Sequence, residues 1–115
     1  MSMIDWNTYR DQLFTGVGEF GKLRPDTLKG YSHLSRPMPR EGALDAKTRE
    51  LVAVAVAVSL RCDGCIATHA SEARKAGATR EDLAEALAIA VAINAGAAMV
   101  YSTRTLDAFA AAAEA

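Results

Sequence analysis

The sequence predicts an all-α protein, a small single-domain bundle of about five or six helices, and three observations support this. Apolar residues recur at three- and four-residue spacing in several segments, no convincing set of alternating strands is present, and capping residues stand where the apolar stripes begin and stop. The length of 115 residues is that of one domain, taken as residues 1–115.

Trp6, Tyr9 and Leu13 form the stripe of a first helix, predicted to end near Phe14 because Gly16, Gly18 and Gly21 follow. Pro25 fits the first turn of a short second helix, whose packed face is Leu28, Tyr31 and Leu34. The run from Arg36 to Gly42 reads as a linker. Asp45 is a good N-cap for a third helix over Ala46–Leu60, mostly apolar after Glu50. Val52, Val54, Val56 and Val58 also have the period of a strand, but they alternate with alanine and not with polar residues.

A fourth helix is expected from about Asp63 to Ala76, stopped by Gly77, a natural left-handed cap residue. Thr79 then caps a fifth, with Leu83, Leu87, Ala90, Val91 and Asn94 at helical spacing. Gly96 is a possible break before a last helix carrying Met99, Leu106 and Phe109. The stretch from Leu83 to Val100 approaches membrane-spanning length, but Glu85, Asn94, Gly96 and many alanines weaken it, so a buried core helix is expected and no membrane.

Half the residues are apolar but only 6% are aromatic, so the core is built of small aliphatic side chains, and such a modest core suggests help from oligomerisation. A net charge of −1 with scattered lysines and arginines offers no basic stripe, which argues against a nucleic-acid partner. The first residues lack the pattern of a secretory signal, and a cytoplasmic location is expected. Gly16-Val17-Gly18-Glu19-Phe20-Gly21 fits GxGxxG only formally, since no strand precedes it.

The chain's two cysteines, Cys62 and Cys65, stand with His69 at offsets of 0, 3 and 7. On a helix turning about 100° per residue they lie within roughly 60° on one face. At a helix N-terminus the unpaired N–H groups favour a thiolate, and helical cysteines three apart are within disulfide reach. If the third and fourth helices form a hairpin turning near Leu60 and Arg61, Glu50 falls opposite His69. A carboxylate there orients the imidazole and suits it to accept a proton from Cys65. In a reducing compartment two cysteines at CxxC spacing point to redox exchange or metal binding.

Glu50, followed by Cys62-Asp63-Gly64-Cys65-Ile66-Ala67-Thr68-His69, resembles the E-x11-CxxC-x3-H signature of alkylhydroperoxidase D (AhpD)-like proteins of the carboxymuconolactone decarboxylase family. The resemblance covers roughly residues 45–109. It implies an all-α fold assembling as homotrimers or homohexamers, and a thiol-dependent peroxidase or disulfide oxidoreductase with no metal or organic cofactor. It further implies that Cys65 attacks a hydroperoxide, that Cys62 resolves the sulfenic acid to a disulfide, that His69 and Glu50 form the proton relay, and that an external dithiol restores the pair. AhpD itself has histidine where this chain has Gly64, which puts strong peroxidase activity in doubt. The true lactone decarboxylases lack the cysteine pair.

Two other readings stay open at this point. The pair is also compatible with a redox-sensing or metal-binding oligomer, with Cys62, Cys65 and His69 as zinc ligands and Glu50 or Asp63 as the fourth. The other reading is a decarboxylase or isomerase acting on a small organic acid. Haem attachment is excluded because Ile66, not histidine, follows Cys65.

Overall fold

The computed structural model describes residues 2–35 and 42–114, and within them the chain is five helices with no strand. They are α1 (Trp6–Leu23), α2 (Pro25–Ser35), α3 (Ala46–Ser59), α4 (Asp63–Lys75) and α5 (Arg80–Ala112). The expected linker lies, apart from Gly42, outside the described residues.

The predicted caps are in place. Asp45 accepts the Thr48 N–H at 2.8 Å, and Thr79 and Asp82 cap α5 reciprocally, so orphan donors at both helix starts are satisfied. Gly77 closes α4 with φ +91. Its N–H donates to the Arg74 carbonyl and that of Ala78 to the Ala73 carbonyl, the paired bonds of a Schellman turn.

Two boundaries differ from the expectation. α1 runs past the glycine cluster to Leu23, because Leu13, Val17 and Phe20 continue its apolar stripe and glycine only weakens a helix by about 1 kcal/mol. Gly21 is needed for packing: a Cβ there would overlap the Leu28 side chain of α2. Likewise α5 is continuous through Gly96, whose surroundings are open, and its 33 residues span about 50 Å at the helical rise.

The helices pack in series, α2 on α1, α1 on α4, α4 on α3 and α3 on α5, with no contact between other pairs among the described residues. The core is correspondingly thin, with Val54, Ala57, Ala67, Ala73 and Ala90 as its buried apolar residues. Alanines at these positions let α3 approach both α4 and α5 closely.

The expectation that the Leu83–Val100 stretch is a buried core helix is not met. Only 6% of the apolar window of α5 is buried, because among the described residues α3 alone packs on it, and Val91, Ile93 and Met99 are each about 70% exposed. The radius of gyration is 18.8 Å, against about 13 Å for a compact chain near this length. By length and composition alone α5 is also long and apolar enough to cross a membrane.

Candidate functional site

The site forms at the turn between α3 and α4. α3 ends in a second Schellman turn, with the Arg61 N–H donating to the Val58 carbonyl and the Cys62 N–H to that of Ala57. Here the left-handed position is held by Arg61, at φ 53, where glycine is the unstrained choice. The sharp reversal leaves Cys62 as the N-cap of α4, at the end of the helix where orphan donors point outward.

Cys62 and Cys65 are joined by a disulfide, their Cα atoms 5.2 Å apart, within the ordinary range for such a bond. The Cys65 backbone N–H also donates to Cys62 Sγ at 3.2 Å, so this sulfur performs the capping that an Asp or Ser oxygen performs elsewhere.

The antiparallel hairpin brings Glu50 opposite His69, the pairing expected by counting from the turn. Glu50 Oε2 lies 2.8 Å from His69 Nδ1, with 25% and 37% of the respective side chains exposed. A carboxylate only accepts, so Nδ1 donates to it, and in the neutral ring Nε2 is left as the acceptor. Glu72, one turn further along α4, pairs with Lys75 at 3.2 Å on the exposed face.

A cavity of about 610 Å³ opens onto Cys62, Cys65 and His69. Its other walls come from α1 and α2, including Leu13, Phe14, Val17, Phe20 and Tyr31. Leu13 lies directly over the dithiol turn, since a Cβ at Gly64 would stand 3.0 Å from Leu13 Cδ2. These walls were not foreseen as site residues. The signal was present in Leu13, Val17 and Phe20 at helical spacing, hidden by the assumption that glycines end α1.

A second groove, about 540 Å³ between α3 and α5, is lined mainly by aliphatic residues such as Leu51, Val52, Ile89 and Ile93. None of the four residues singled out from the sequence reaches it. Among the described residues no three His, Cys, Asp or Glu side chains are grouped as metal ligands.

The chain is similar to several known proteins. An uncharacterized protein of Haemophilus influenzae is 48% identical over 105 residues, covering 91% of this chain and 93% of its own. One from Cupriavidus necator is 34% identical over the same shares. A carboxymuconolactone decarboxylase family protein from Legionella pneumophila, solved without ligand, superposes with a TM-score of 0.71 at 38% identity, covering 90% of this chain and 93% of that one. A protein from Methanobacterium thermoautotrophicum gives 0.67 at 36% identity, over 75% and 97%. The family model described as the carboxymuconolactone decarboxylase family matches residues 25–114, from α2 to the end of α5, and the chain therefore belongs to that family.

Proposed function

We propose that this chain is a thiol-dependent oxidoreductase that reduces hydroperoxides through Cys65 and Cys62. The observation that carries the reading is the disulfide at the head of α4, facing a cavity that also holds an imidazole fixed by a carboxylate. In the reduced enzyme His69 Nε2 takes the Cys65 proton, and the thiolate attacks the peroxide oxygen. The O–O bond breaks, Cys65 becomes a sulfenic acid, and the alkoxide leaves as alcohol with the proton from His69. Cys62 thiolate then displaces hydroxide to form the disulfide, and an external dithiol restores both thiols while being oxidised itself. A cytoplasmic, reducing setting suits this cycle.

The same proposal includes self-association as a homotrimer or homohexamer, with a second copy covering α5. The uncharged stretch between Glu85 and Arg104 and the aliphatic groove beside it form one unpaired surface. Asn94 in its middle is committed to Ser59 of α3 at 2.8 Å, which favours a protein cover over lipid. Sedimentation should show an assembly that Ile93→Arg reduces to monomer; a monomeric wild-type chain refutes this part.

The redox part is tested by turnover of an organic hydroperoxide with dithiothreitol as reductant. Cys62→Ser and Cys65→Ser should each abolish it, whereas full turnover by Cys65→Ser would sink the reading.

A further inference from the structure

The two sulfurs of the site are held by different devices. Cys62 Sγ caps α4 and accepts the Cys65 N–H at 3.2 Å, with the N-terminal dipole of a 13-residue helix behind it. Cys65 sits inside the first turn, and its own N–H is spent on Cys62. Among the described residues lining the cavity, the basic side chain beside the thiols is His69, fixed through Nδ1 by Glu50 at 2.8 Å. A negative charge on Cys62 therefore has a backbone donor and the helix dipole to stabilise it, whereas one on Cys65 has no such cap and relies more on the side-chain relay.

We infer that Cys62 is the leaving group when the disulfide is reduced, so that an incoming thiolate attacks Cys65 and Cys62 departs as a thiolate capping α4. This deepens the redox reading above and rests on its dithiol cycle, but it requires nothing of the peroxide.

The step balances. A thiolate RS⁻ forms a bond to Cys65 Sγ, the Cys62–Cys65 bond breaks, and its electron pair stays on Cys62. A second RS⁻, formed when His69 Nε2 takes the proton of an incoming thiol RSH, then attacks the R sulfur of the mixed disulfide, giving RSSR and the Cys65 thiolate, which receives that proton back from His69. The direction follows from thiol exchange in general, where the better-stabilised thiolate leaves faster. The same arrangement serves oxidation, since Cys62 stands ready as a thiolate to close the disulfide once Cys65 is oxidised.

The test uses the oxidised full-length protein, exposed briefly to 2-mercaptoethanol, quenched in acid, labelled with N-ethylmaleimide and mapped by peptide mass. At least tenfold more 2-mercaptoethanol adduct on Cys65 than on Cys62, with maleimide on Cys62, is expected. Equal labelling, or a preference for Cys62, overturns the inference.

A second readout follows iodoacetamide alkylation of each cysteine against pH in reduced wild-type and His69→Gln protein. The Cys62 profile should stay in place while that of Cys65 moves to higher pH. Profiles that move together overturn the assignment. Neither readout involves a hydroperoxide, so failure of the peroxidase reading leaves both results interpretable.

Discussion

Replacing Glu50 with Gln keeps the shape of the Glu50–His69 contact and removes its charge, which isolates what the carboxylate contributes to the relay. The contact is 2.8 Å long, with about a quarter of Glu50 and a third of His69 exposed, so water screens it only in part. A hydrogen bond to a charged group contributes about 1.5–3 kcal/mol against about 0.5–1.5 for a neutral one. The difference at this half-screened site is about 1 kcal/mol, or roughly fivefold in a rate that depends on His69 accepting a proton. The assay is stopped-flow thiol loss from reduced Glu50→Gln protein mixed with excess organic hydroperoxide, with His69→Gln beside it. Losing the base itself should cost about a hundredfold or more. Wild-type oxidation by Glu50→Gln, or a loss as large as that of His69→Gln, refutes the assignment of Glu50 as the residue that positions the imidazole.

Three further outcomes follow from the fold. Arg61→Gly should raise the urea midpoint, because the left-handed φ of 53 costs an L-residue about 1–2 kcal/mol and glycine returns part of that as chain entropy, leaving about 0.5–1 kcal/mol of gain; a lower midpoint contradicts the strained turn. Gly21→Ala should destabilise by about 1–3 kcal/mol, as its Cβ would overlap Leu28, whereas Gly16→Ala, facing open space, should stabilise slightly. Acid should weaken the starts of α1, α3 and α5. The Asp5, Asp45 and Asp82 carboxyls are held below their usual value of 3.8, chiefly by the backbone N–H groups of Thr8, Thr48 and Thr79 respectively. Since the unfolded chain binds protons first, that stability is present above about pH 4 and lost as pH falls through the lowered folded values. Circular dichroism against pH should show the loss, with a smaller acid response in Asp45→Asn.

The middle of the molecule was legible because its signals are local. Asp45, Gly77 and Thr79 act on their own helix ends, and an antiparallel hairpin makes Glu50 and His69 equidistant from one turn, so counting finds their contact. What could not be read depends on neighbours distant in sequence. The continuation of α1 past its glycines is supported by Leu28 from the next helix, and with it come Val17 and Phe20 as cavity walls. Arg61 gives no warning in its residue type that the chain turns left-handed there. The composition of α5 is that of a buried helix, yet burial requires partners on several sides and, among the described residues, the chain supplies only α3. The pairing of Cys62 with Cys65 was readable from spacing, while the distinct support of each sulfur required the N-cap geometry of Cys62.

Oxidation of the dithiol as a unit by hydroperoxide is tested most directly by titrating reduced, metal-free protein with an organic hydroperoxide while counting free thiols and recording intact mass. One equivalent should remove both thiols of each chain and lower the mass by about two units, as a disulfide requires. Thiols that stay free through several equivalents, with the mass unchanged, would contradict it.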